Sequence, residues 1–288
     1  MRIGLKLDYN YQRRRSYRQV YGTGPVPGEL RDAGIEAVET AVWPDTDDAE
    51  LLEYIRDCVE AGLRVSMHPY TEGTDFNPTS FAEEDENQVR QLHIRFFKIA
   101  SVTAELQRTN VMVNIHPAAD AGPHSRGFLV RQSVRFFSWA GEWCAVHAPG
   151  VHPVAELQIA PGEGAAIKRI GDRFEELEKV VTRSGVRATW DFGHAVLNHL
   201  RFGTPRTPSE TLLARIAHVH CHDVIGEDHQ PLQDGEVPWR RFLTMLREAG
   251  FDGTVVLEIP PRNFLSAGGR GSFTKTVGAM KEFLGSSG

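Results

Sequence analysis

Residues 173–194, RFEELEKVVTRSGVRATWDFGH, contain one complete structural unit. Arg173 to Arg183 reads as an amphipathic helix, Gly185 suits a left-handed helix cap, and Arg187 to Asp191 is a short apolar strand. Asp191-Phe192-Gly193-His194 then leaves the strand, with Asp191 closing it and His194 at the turn. The same alternation runs outward in both directions. Strands are predicted over Arg2 to Asp8, Ile35 to Val42, Leu63 to His68, Asn110 to His116, Pro153 to Gln158, Arg187 to Asp191, His218 to His222 and Thr254 to Ile259. Helices are predicted over Asp48 to Ala61, Glu84 to Gln107, Phe128 to Ala145, Arg173 to Arg183 and Trp239 to Ala249, and Gly34, Gly62, Gly185 and Gly250 stand where several of them end. Eight βα units in a chain of this length predict an α/β fold, a single (β/α)₈ TIM barrel spanning 1–288.

The chain has 288 residues, 41% of them hydrophobic, and no apolar stretch near the ~20 residues of a membrane span. It begins Met1-Arg2-Ile3-Gly4-Leu5-Lys6, too soon charged for a signal peptide, so a cytoplasmic, membrane-free protein is expected. Three widely spaced cysteines, Cys58, Cys144 and Cys221, fit reduced thiols. A net charge of -6 gives no global attraction for nucleic acid. Two segments exceed what a barrel needs. Tyr9 to Pro27 carries Arg13, Arg14, Arg15 and Arg18 among tyrosines and reads either as an anion clamp or lid, or as a solvated or oligomer-forming surface. Tyr70 to Ala82 reads as a surface loop.

In such a barrel all strand C-termini open on one face, so residues far apart in sequence meet there. His68 and His116, each followed by proline, end strands three and four; Glu156 and Glu258 end strands five and eight. Asp191 and His194 leave strand six, and His218, His220 and His222 alternate along one face of strand seven, with Glu227 and His229 one loop further out. Buried carboxylates and imidazoles are costly without partners, and their recurrence over six strands predicts a metal centre. Trp43, at a strand exit, is the tryptophan best placed to stack on a sugar; Trp190 and Trp239 suit packing. Gly162-Glu163-Gly164 reads either as a tight turn or as a phosphate cradle at a helix start.

These residues resemble the xylose isomerase-like (β/α)₈ superfamily, which contains sugar (phosphate) isomerases and epimerases together with endonuclease IV. The resemblance covers His68-Pro69-Tyr70, Val113-Asn114-Ile115-His116-Pro117, Glu156, Asp191-Phe192-Gly193-His194-Ala195, His220-Cys221-His222-Asp223 and Leu257-Glu258. It implies one divalent metal on Glu156, Asp191, His220 and Glu258. The endonuclease pattern further implies extra zinc ligands at His68, His116, His194, Glu227 and His229, with Glu227 in place of an aspartate. Val42-Trp43-Pro44-Asp45-Thr46-Asp47-Asp48 is acidic where the nuclease penetrates DNA, which argues against a duplex substrate.

The expectation is therefore an isomerase or epimerase acting through an enediolate on a sugar, polyol or sugar phosphate, with one Mn²⁺, Mg²⁺, Co²⁺ or Zn²⁺ ion. Glu156 and Glu258 are the expected acid–base pair, with His194, His68, His116 and Trp43 on the substrate. The expected partner is a small polyhydroxylated molecule, with possible homo-oligomer formation. The alternatives are a multi-zinc phosphoester hydrolase, a dehydratase, or a barrel that binds without catalysis.

Overall fold

Successive side chains of a strand point to opposite faces, and in most of the barrel strands this period of two sorts polar residues to an inner compartment and apolar ones to an outer. The computed structural model describes residues 1–9, 15–22, 26–74, 76–81 and 86–285. Its strands are β1 (Arg2–Asp8), β2 (Ala37–Val42), β3 (Arg64–Pro69), β4 (Val111–Ile115), β5 (Val151–Glu156), β6 (Arg187–Asp191), β7 (Ile216–Cys221) and β8 (Thr254–Leu257). Each pairs in parallel with its sequence neighbours, and β8 pairs with β1, closing an eight-stranded (β/α)₈ barrel. Observed strand ends differ by one or two residues from the expected ones: His116, His222 and Glu258 lie just past their strands.

Ile3, Leu5 and Leu7 of β1, Val65 and Met67 of β3, Val113 and Ile115 of β4 and Trp190 of β6 belong to the buried apolar cluster. They meet the helices α3 (Asp48–Glu60), α4 (Glu86–Gln107), α5 (Arg126–His147), α6 (Phe174–Ser184) and α8 (Trp239–Glu248). Phe96, Phe97, Phe136, Phe137, Trp190 and Phe242 are fully buried there. Burying each such ring stabilises the fold by roughly 2–3 kcal/mol relative to exposure. Trp190 and Trp239 are packing residues, as expected.

The opposite face of the same strands is polar. Lys6 lines the barrel interior with the buried residues Glu39, His68, Asn114, Glu156, Thr189, Asp191, His218 and His220. The Gly185 cap closes α6 with φ of 82°, as the sequence implies.

The long first segment is partly helical. α1 (Arg15–Tyr21) and α2 (Val26–Ala33) fold there, and Tyr21 packs its ring on Phe264 and Phe273. Tyr17 and Tyr21 are therefore packing groups, while Tyr11, Arg13 and Arg14 lie outside the described residues. Within 70–82, Pro78–Ser80 forms a 3₁₀ turn. Gly162-Glu163-Gly164 is an exposed turn followed by a short ribbon strand at Lys168–Arg169, so no helix start forms a phosphate cradle there. Among the described residues no helix is long and apolar enough to cross a membrane.

Candidate metal centre

Glu156, Asp191, His220 and Glu258 come from the ends of β5, β6, β7 and β8, and each offers a ligand atom within 4.8 Å of the other three. All four are buried. His220 Nδ1 lies 3.3 Å from Glu156 Oε1 and 3.7 Å from Asp191 Oδ2, and it closely approaches Glu258 Oε2. Glu156 Oε1, Glu258 Oε2 and His220 Nδ1 are buried without a hydrogen-bond partner in the protein. Orphaned buried acceptors are costly, and three convergent ones in an acid-rich donor set fit a divalent cation.

The neighbours fix which atoms remain bare. Glu39, from β2, accepts hydrogen bonds from His218 Nε2 at 2.6 Å and His220 Nε2 at 2.9 Å. Proton placement on Nε2 leaves His220 Nδ1 as a lone-pair donor, the carboxylate–histidine arrangement that orients metal ligands. Asp191 caps α7 (Phe192–Phe202) by accepting from His194 N at 2.7 Å, and its Oδ2 accepts from His222 Nε2 at 3.2 Å. His222 Nδ1 in turn accepts from His229 N at 2.8 Å. Both nitrogens of His222 are thus engaged, so it orients Asp191, although it also groups with His194 and His229 as a possible ligand. Gly193 permits this packing: a Cβ there would lie 1.9 Å from the His222 ring.

The two glutamates are held differently. Asn114 Nδ2 donates to Glu156 Oε2, and Thr189 donates to Asn114 at 2.6 Å. His68 Nε2 and His116 Nε2 approach the same Glu156 oxygen at 3.0 and 3.2 Å. Glu258 Oε1 instead accepts from Lys6 Nζ and from the Tyr70 hydroxyl at 3.4 Å.

Burial alone would push both carboxyls up. The imidazoles of His220, His116 and His68 outweigh it at Glu156, as do His220 and Lys6 at Glu258, and both groups fall well below the usual carboxylate range. Asp191 is likewise lowered against its burial, chiefly by His194 and His222. His68 is lowered to about 4 by burial and by Lys6.

A second donor group, His68, His116 and Glu156, adjoins the first. His194 Nδ1 is 3.0 Å from the Leu157 carbonyl, which leaves its Nε2 facing Asp228 Oδ2 at 3.9 Å. His229 Nδ1 is 3.1 Å from Asp228 Oδ2. Glu227 does not take the expected place: it is exposed, and Asp228 is the acid that faces both histidines. His229 adopts a left-handed φ of 54°, which breaks the strand alternation that would put residues 227 and 229 on one face.

Beside Glu258 a cavity of about 370 Å³ is lined by Lys6, Tyr17, Trp43, Tyr70, His229 and Arg262. Trp43 stacks on Tyr70 at 5.3 Å and Tyr70 on His68 at 4.4 Å, so an aromatic wall runs from the cavity to His68. The acidic loop 44–48 is pinned by Arg95, which donates to Asp48 and to the Pro44 carbonyl at 2.7 Å. Lys6, Glu39 and Asp228 are absent from the sequence-derived site. Lys6 between Leu5 and Leu7, and Glu39 after Ala37 and Val38, each set a charge in a run of apolar neighbours, a pattern that marks an unusual position without naming its partner.

The family model of the xylose isomerase-like TIM barrel matches residues 28–282. An uncharacterized protein of Methanocaldococcus jannaschii, MJ1188, is 25% identical over 240 residues, 81% of this chain and 82% of the relative. Among solved structures, a D-psicose 3-epimerase with D-tagatose from Clostridium cellulolyticum H10 superposes with a TM-score of 0.68 at 13% identity, covering 98% of each chain. An AP endonuclease, family 2, from Brucella melitensis gives 0.64 at 15% identity, over 92% of this chain and 97% of its own. An IOLI protein with a binding zinc atom gives 0.65 at 13% identity, over 98% and 97%. At these identities the structural likeness concerns the fold.

Proposed function

The chain belongs to the xylose isomerase-like TIM barrel family, and from that premise we propose that it is a divalent-metal-dependent isomerase or epimerase of a small polyhydroxylated carbonyl compound. The observation that carries this reading is the pair of buried carboxylates, Glu156 and Glu258, both brought against His220 Nδ1 with one orphaned oxygen each. Glu156, Asp191, His220 and Glu258 would hold the metal. When bound, it supplies Lewis acidity toward adjacent carbonyl and hydroxyl oxygens, favouring the enediolate.

The residues of the chain do the rest. Glu156 and Glu258, both kept ionised in the free site, approach a bound substrate from different strands, so one accepts the carbon-bound proton; the proton that goes back to carbon comes from that same carboxyl, now protonated, or from the other glutamate after it has taken a proton from solvent. Lys6 and Tyr70 hold Glu258 by its other oxygen, as Asn114 holds Glu156. His194, His68 and His116 border the centre as hydrogen-bonding groups for substrate hydroxyls, and the Trp43–Tyr70 wall suits the apolar face of a sugar.

The test is solvent-deuterium incorporation beside the carbonyl, followed by NMR over a panel of ketoses, aldoses, inososes and their phosphates. Exchange with one class, about one tightly bound metal per chain, and a loss of ~10²-fold or more in Glu156→Gln and Glu258→Gln are expected.

A second reading, phosphoester hydrolysis by two or three zinc ions, is favoured by the adjoining donor groups around His68 and His116 and around His194 and His229. Two or three ions per chain, phosphoester cleavage and no exchange with any carbonyl compound would establish that reading and overturn the first.

A further inference from the structure

The opposite end of the barrel carries a feature that the metal centre does not use. Arg2, Arg64 and Arg187 are the first residues of β1, β3 and β6. Two residues further along each strand stand Gly4, Ser66 and Thr189, and two beyond those stand Lys6, His68 and Asp191 of the polar interior, so the arginines share the inward parity. Three closed-barrel strands therefore deliver three guanidinium groups to one mouth.

All three line a single cavity of about 430 Å³, together with Ser66, Gln107 and His218. Asp252 is the one acid on its described lining. Among the described residues none of the three arginines forms an ion pair; Arg187 Nη2 donates to the Ile216 carbonyl at 2.7 Å. A neighbouring recess shares Arg187 and adds His152, whose pKa burial and the Arg187 guanidinium both lower. His218 is buried, and its Nε2 is committed to Glu39.

Guanidinium groups that share one cavity, with no carboxylate ion pair among the described residues, suit the charge of a tetrahedral oxyanion, which accepts paired N–H bonds. We propose that the N-terminal mouth of the barrel is a binding site for a small dianionic oxyanion such as inorganic phosphate, held by Arg2, Arg64 and Arg187. The site lies at the far end of the His218–Glu39–His220 chain from the metal ligands. It is independent of the reaction proposed above.

The experiment is calorimetric titration of the metal-loaded protein with inorganic phosphate. It is repeated on Arg64→Ala/Arg187→Ala, on Arg64→Lys/Arg187→Lys and on Asp191→Asn. Both arginines are exposed, so the thermal unfolding of the variants in phosphate-free buffer should match that of the parent. Saturable binding is expected, weakened at least about tenfold in the alanine pair, weakened less in the lysine pair, and kept within about threefold in Asp191→Asn. No saturable binding, or affinity unchanged in the alanine pair, would overturn the proposal. So would affinity lost in Asp191→Asn but kept in the alanine pair, which would put the anion at the metal centre.

Discussion

Glu39 and His220, 181 residues apart in sequence, are joined across the barrel interior by a 2.9 Å hydrogen bond from Nε2 to Oε1. Because this bond fixes the imidazole proton on the side away from Glu156, Glu39→Gln should weaken divalent-metal affinity by about 10- to 100-fold. Competition with a fluorescent chelator measures it. Unchanged affinity would mean that His220 needs no such orientation.

Lys6 places a positive charge on Glu258 inside the same compartment. That charge opposes a dication by ~1 kcal/mol or more even in a high-dielectric surrounding. Lys6→Met should therefore bind the metal more tightly, by roughly tenfold, while losing turnover because Glu258 Oε1 is left with only the longer contacts to the Tyr70 hydroxyl at 3.4 Å and His229 Nε2 at 3.7 Å. Weaker metal binding in this variant would show that Lys6 organises the ligands more than it repels the ion.

Gly193→Ala should destabilise the protein by about 1–3 kcal/mol, since the added methyl meets the His222 ring. Chemical unfolding measures the cost. Metal affinity should fall with it, because His222 orients Asp191.

His93 gives a pH dependence unrelated to the centre. It is fully buried against Phe136, and burial lowers its pKa to about 4. The unfolded chain takes up a proton near pH 6.5 while the folded chain resists until about 4, so stability is lost as pH falls between these values. Urea unfolding of metal-free protein should show His93→Leu losing about 2 kcal/mol less than the parent between pH 7 and pH 4.5. An equal loss in both would place the acid sensitivity elsewhere.

Asp228→Asn should alter zinc binding at high zinc concentration, and Glu227→Gln should not, because only Asp228 faces His194 and His229. Equilibrium dialysis followed by metal analysis compares the two. An effect confined to Glu227→Gln would reverse this assignment.

The barrel was legible because its signal is repeated: eight apolar runs, several preceded by a glycine that ends the helix before them, leave little freedom of topology. Glu156, Asp191, His220 and Glu258 were legible because strand ends share one face, and the fold brings all four together. Glu39 and Lys6 were not, because a charge in the middle of an apolar run reveals its partner only after the sheet closes and β2 faces β7. Asp228 was hidden for a different reason. Spacing assigned the role to Glu227, and the left-handed backbone at His229 shifts it by one residue, a conformation that a residue pattern does not announce.

The alternation along the barrel strands also bears on how such a protein changes over time. Outward residues such as Trp190 and Met67 carry the packing, while inward residues such as Lys6 and Glu258 carry the charge. A substitution at an inward position alters chemistry without opening a void among the helices, and one at an outward position does the reverse. The wall of the barrel is thus a partition between two inheritances, and a lineage can rewrite its catalytic repertoire while its architecture stays the same.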